Sequence, residues 1–216
     1  MFERFRAFWG GVFTPIARLL LRWGVSPDAV TLVGTLGVCA GALIFFPQGL
    51  LLVGVLVITA FVFSDIVDGT MARLSGRSSP FGAFLDSTLD RIADAAVFGG
   101  LAMYYVGPGD SDWFAALAIY NLVMGSVTSY ARARAESLGM EAKVGIAERA
   151  TRLVSILVIT GLADLINVLG AGEDVLWAIP VTLGALAVAS TITVFQRVLT
   201  VRDQARALET SRPSSA

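Results

Sequence analysis

The sequence has no histidine, a single cysteine and few charges. Without histidine there is no Ser-His-Asp triad, no imidazole acid or base, and no zinc site of the usual kind. The lone Cys39 excludes an intrachain disulfide framework. Charged residues make up 15% of the 216, against about a quarter in a soluble domain. Hydrophobic residues make up 56%, and the mean hydropathy is +0.74. The 16 Lys and Arg are offset by 17 Asp and Glu, so the chain lacks the basic excess that phosphate neutralisation on nucleic acid requires. What remains is an all-α integral membrane protein whose chemistry must run on carboxylates, arginine and metal.

A helix needs roughly 20 apolar residues to cross a bilayer. Six such segments are expected, at 29–47, 51–73, 82–106, 113–135, 149–169 and 174–198. Lipid offers no partner to backbone N–H and C=O groups, so these segments must be helices. Phe46-Pro47-Gln48-Gly49, Gly107-Pro108-Gly109-Asp110 and Gly170-Ala171-Gly172 supply the breaks on one side. Those turns carry no Lys or Arg. Apart from Arg91, the basic residues lie before the first segment, near 73–77, between 132 and 152, or from 197 onward. The positive-inside rule then puts both termini and the basic turns on the cytoplasmic side of the membrane. Residues 2–22 mix aromatic, apolar and basic residues and read as an amphipathic helix lying in the interface. Residues 1–202 are expected to form one membrane-embedded domain, with 203–216 a disordered cytoplasmic tail.

Asp at the centre of a membrane helix costs about 2.5–3.5 kcal/mol even on lenient scales. Asp65 and Asp68 nevertheless end the second segment, and Asp86, Asp90 and Asp94 begin the third. The spacings of three and four residues put each pair on one helical face. Two antiparallel neighbours could therefore focus four carboxylates. Their repulsion would be relieved by divalent cations, and an all-oxygen set selects hard ions such as Mg²⁺, Mn²⁺ or Ca²⁺. Two metals would suit phosphoryl transfer. Helix capping, or pairing with Arg73, Arg77 and Arg91, is the plainer alternative. Gly69, Ala72 and Gly82 keep this face small, which serves either close helix packing or close approach of a ligand.

The pattern Asp65-x2-Asp68-Gly69-x2-Ala72-Arg73-x8-Gly82-x3-Asp86-x3-Asp90 resembles, at every fixed position, the motif of the CDP-alcohol phosphotransferase family. The resemblance implies a six-helix core, homodimers, and transfer of a phosphatidyl group from a CDP-linked lipid to an alcohol with release of CMP. It also implies metal binding by Asp65, Asp68, Asp86 and Asp90, with two Mg²⁺ (or Mn²⁺) ions and Asp90 as general base. Gly69, Arg73, Ser79 and the run Asp28-Ala29-Val30-Thr31 match positions that contact the CDP-lipid. Ser26-Pro27-Asp28 is also a helix-start pattern, so a capping role for Asp28 stays open.

A second basic cluster bears on the acceptor. Arg132 and Arg134 close the fourth segment, Arg149 and Arg152 open the fifth, and Arg197 ends the sixth. These arginines could simply be topology signals. Several guanidiniums converging on a site would instead suit a phosphorylated acceptor. The segments are similar to those of actinobacterial family members that join CDP-diacylglycerol to inositol 1-phosphate. That likeness implies that Arg132, Arg152 and Arg197 hold the acceptor phosphate. Arg132 stands where many of those proteins have Lys, and Ala150 where many have Pro. Glycerol 3-phosphate is the alternative acceptor. A cation transporter is the alternative of a different class, although its acidic groups should spread through the membrane depth.

Overall fold

The computed structural model describes residues 14–76 and 79–210, with the side chain of Asp65 also outside the description. Every regular element among the described residues is helical. Helix α1 occupies 14–22, and α2 is Pro27–Ala40. A π-turn, Gly41–Phe45, and a 3₁₀ turn, Phe46–Gln48, extend α2. Then come α3 (Leu51–Val62), α4 (Ser64–Ser75), α5 (Pro80–Val106), α6 (Asp112–Ser137), α7 (Arg149–Ile166) and α8 (Ala178–Thr210).

Among the described residues, five helical stretches are long and apolar enough to cross a membrane: Pro27–Gln48, Leu51–Ser75, Asp112–Ser137, Arg149–Ala171 and Glu173–Thr210. Helix α5 has 27 residues, about 40 Å at 1.5 Å per residue, and so has ample length. Its first half carries Asp86, Asp90, Arg91 and Asp94, which keeps it out of the purely apolar set. Of the expected interfacial helix, 14–22 is helical and 2–13 lie outside the described residues.

The chain divides into two compact units, Met1–Asp110 and Ser111–Ala216. In the first, α2 packs against α3, α4 and α5. Close approach here depends on absent side chains: a Cβ at Gly100 would stand 2.6 Å from the carbonyl oxygen of Ala42. The second span is broken at Phe63, between α3 and α4. There the Ser64 hydroxyl donates to the Phe61 carbonyl at 2.6 Å, a local bond that competes with the helical ladder. In the second unit α8 packs against both α6 and α7.

Helix starts follow their sequence signals. Ser26 and Ser79 are N-caps, each followed by Pro at the first helical position, and Ser111 caps α6. The expected disordered tail needs correction. Residues 203–210 continue α8. Ala205, Ala207 and Leu208 are strong helix formers, and Gln204 is held on both sides of a peptide unit. Its amide oxygen accepts from the Glu141 N–H at 2.9 Å, and its NH₂ donates to the Glu141 carbonyl at 2.6 Å. Residues 211–216 lie outside the described residues.

Candidate active site

In the first unit the acidic residues of α4 and α5 share an electrostatic neighbourhood. Asp68 is 8% exposed, and the Thr31 hydroxyl of α2 donates to its Oδ2 at 2.6 Å. The charges of Asp86 and Asp90 both bear on it from α5. Asp86 is exposed and Asp90 half-buried. The described side chains do not by themselves close a three-carboxylate metal cage. The fourth carboxylate of the motif, Asp65, is the one whose side chain is not described.

The plainer alternative of pairing with arginine holds for Asp90 and Asp94 but not for Asp68 or Asp86 among the described residues. Arg73 donates to the Thr70 hydroxyl at 3.0 Å, one turn back on its own helix. Arg91 forms ion pairs with Asp90 at 3.8 Å and with Asp94 at 3.9 Å. No ion pair to Asp68 or Asp86 is formed among the described residues. Arg77 lies outside them. Gly69, next to Asp68, fronts open space: a Cβ built there meets no atom within 4 Å. A buried carboxylate with two acidic neighbours and no cationic partner among the described residues, beside a bare stretch of backbone, fits hard cations and a phosphate group.

The residues matched to the CDP-lipid divide by environment. Ser26, not Asp28, caps α2, its hydroxyl accepting from the Ala29 N–H at 3.2 Å. Asp28 is two residues further in, and its Oδ1 lies 3.4 Å from where a Gly82 Cβ would stand. Ala29 is exposed. Val30 packs against the small core of Ala17, Val67 and Met71. Thr31 touches Asp68 directly. Ser79 caps α5 by accepting from the Gly82 N–H at 2.9 Å.

In the second unit two arginines converge on Thr128 of α6. Arg152 is 1% exposed; its Nη1 donates to the Thr128 hydroxyl at 3.3 Å and to the Ala147 carbonyl at 3.1 Å. Arg197 is 6% exposed; its Nε donates to the Val144 carbonyl at 2.9 Å and its Nη1 to the Thr128 carbonyl. Arg197 forms no ion pair among the described residues. Glu136 and Glu148 bear on it only at longer range, and Arg132 adds a like charge nearby. A buried cation such as Arg197, held by neutral carbonyls, still attracts an anion strongly. Arg132 itself is exposed, with its Nε donating to Glu136 at 2.9 Å. Thr128, Thr193 and the carbonyls of residues 144 and 147 were missed by sequence reasoning. The spacing Ser190, Thr193, Arg197 on one face of an apolar helix was the available signal.

Apolar helices carrying an acidic motif around the buried Asp68, together with an arginine cluster, define a class. The chain belongs to the CDP-alcohol phosphatidyltransferase family, whose model matches residues 24–200 and so covers parts of both units. It is 54% identical over 198 residues to the phosphatidylinositol phosphate synthase of Streptomyces avermitilis, covering 91% of this chain and 80% of the relative. It is 52% identical over 202 residues to that of Cutibacterium acnes, covering 94% and 98%. Among solved structures it resembles the Mycobacterium tuberculosis phosphatidylinositol phosphate synthase with CDP-DAG bound. The TM-score is 0.82 at 42% identity, covering 88% of this chain and 93% of that one. The same enzyme in complex with manganese and citrate gives a TM-score of 0.80 at 42% identity, covering 88% of each.

Proposed function

We propose that this protein transfers the phosphatidyl group of CDP-diacylglycerol to inositol 1-phosphate, giving phosphatidylinositol phosphate and CMP. The observation that carries the choice of acceptor is Arg197, buried beside Arg152 at Thr128 and held by the neutral carbonyls of Val144 and Thr128. A small uncharged alcohol would give such a site nothing to neutralise. The names of the relatives at 52% and 54% identity support the same acceptor.

Asp65, Asp68, Asp86 and Asp90 would hold two divalent ions, Mg²⁺ or Mn²⁺. When bound, such ions neutralise charge on the diphosphate of the lipid nucleotide. The manganese complex of the mycobacterial relative supports a divalent ion of this type. The rest of the chemistry belongs to the chain. Gly69 lets the donor's phosphates approach the backbone of α4, with Asp28, Ala29, Val30, Thr31, Arg73 and Ser79 around them. The arginine cluster orients the acceptor through its phosphate. Asp90 takes the proton of the attacking hydroxyl. That oxygen bonds to the lipid-side phosphorus, the bond to the CMP phosphate breaks, and CMP leaves. The proposal also takes α5 as a sixth span, 14–22 as part of an interfacial helix, both termini as cytoplasmic and the enzyme as a homodimer.

Purified protein in vesicles containing CDP-diacylglycerol tests this directly. Product is expected with inositol 1-phosphate and not with inositol, serine or glycerol. Product with glycerol 3-phosphate alone would reject the acceptor. A chelator is expected to abolish CMP release and added Mg²⁺ or Mn²⁺ to restore it; activity that survives chelation would reject metal binding by the four carboxylates.

Gly69 allows a sharper test, because stability and activity should move apart. Gly to Ala within a helix is worth up to about 1 kcal/mol of stability, and nothing stands where the methyl group would go. Gly69→Ala is therefore expected to melt no lower than wild type. If the donor's phosphates lie on that backbone, the same methyl raises the KM for CDP-diacylglycerol roughly 10-fold, equivalent to about 1.4 kcal/mol. An unchanged KM would move the donor off this face.

A further inference from the structure

We infer that Thr193 is a positioning residue for the acceptor site, acting through the loop 138–148 rather than on substrate. The inference deepens the proposed function and rests on it. Arg152 and Arg197 both spend donors on carbonyls of this loop, at Ala147 and Val144. Neither carbonyl lies within a helix, so no helical ladder fixes where it points.

Thr193 supplies that fixation from α8. Its hydroxyl accepts from the Ile146 N–H at 3.2 Å and the Ala147 N–H at 3.0 Å, and donates to the Ala189 carbonyl at 2.8 Å. A hydroxyl offers one proton and two lone pairs, so every bond it can make is used. Thr193 is 0% exposed, which makes these bonds costly to lose. Its methyl group fills the space beside Gly145, where a Cβ would collide with the Thr193 side chain. Gly145 has φ +136°, a conformation that a residue with a Cβ resists. Thr193 and Gly145 thus fit as a pair. One turn beyond Thr193 on the same helix stands Arg197, so one rigid element carries both a phosphate ligand and the peg that aims its partner carbonyls.

The test is a set of steady-state measurements on the full chain in vesicles, varying inositol 1-phosphate and CDP-diacylglycerol separately. Thr193→Val keeps the shape and removes the hydroxyl. It is expected to raise the KM for inositol 1-phosphate roughly 10-fold, with the KM for CDP-diacylglycerol within about twofold of wild type. Thr193→Ser restores the acceptors and is expected to return the KM to within about threefold. Gly145→Ala disturbs the same fit from the loop side, so it should reproduce the split even if Thr193→Val fails to fold. A wild-type acceptor KM in Thr193→Val, equal rises in both KM values, or no rescue by Ser would overturn the inference. Wild-type protein that makes no product with any phosphorylated alcohol would instead overturn the proposed function, and this inference with it.

Discussion

Asp90→Asn is expected to lower the rate of CMP release by about 10³-fold, the middle to upper range for loss of a general base. The substitution is nearly isosteric, and Asp90 is half-buried with a 3.8 Å ion pair to its neighbour Arg91. Folding should therefore survive. Loss of a proton acceptor used in the transition state appears in kcat, with a smaller change in KM for either substrate. Initial rates at saturating substrate and Mg²⁺, together with a melting curve in detergent, separate the two effects. Retention of more than a tenth of the wild-type rate by a folded Asn variant would remove Asp90 from the proton-transfer step.

Arg152→Ala is expected to raise the KM for inositol 1-phosphate by up to about 100-fold while leaving that for CDP-diacylglycerol within about twofold. Hydrogen bonds to a charged group are worth about 1.5–3 kcal/mol, and each 1.4 kcal/mol is a factor of ten. Arg152 is also among the largest fully buried side chains, so its truncation opens a cavity. Arg197→Lys serves as the companion. It keeps the charge but gives up the fork that spans the carbonyls of Val144 and Thr128. Its effect should be smaller, roughly 10-fold, and confined to the same KM. Parallel losses for both substrates, in either variant, would make the arginines structural rather than phosphate ligands.

Much of this protein was legible in its sequence wherever the signal is local. Hydropathy placed five of the expected apolar helices because lipid leaves the backbone no choice but helix. The expected 82–106 differs from α5 only by the start at Pro80, which the Ser79 cap dictates. The acidic motif was readable because three- and four-residue spacing is helix geometry. What escaped depends on contacts far apart in the chain. Nothing in Phe63 itself marks a break; it arises where Ser64 bonds back to Phe61. Thr128 and Thr193 look like ordinary polar residues of a span, and their roles emerge only where Arg197 and loop N–H groups meet them across 46 or more residues. The end of α8 was misjudged because its polar composition resembles a tail, whereas Gln204 pins it to Glu141.

The length of α8 has its own consequence. Thirty-three residues reach about 50 Å, and the hydrocarbon slab is only about 30 Å thick. About four turns must therefore overhang. The charged end, from Arg202 to Glu209, is the part that belongs in water, and through Gln204 it carries the loop 138–148 out with it. A water-soluble sugar phosphate could then reach this shelf without entering the lipid. Shortening the chain after Glu209 should be harmless, whereas ending it before Gln204 would cut the shelf's outer support.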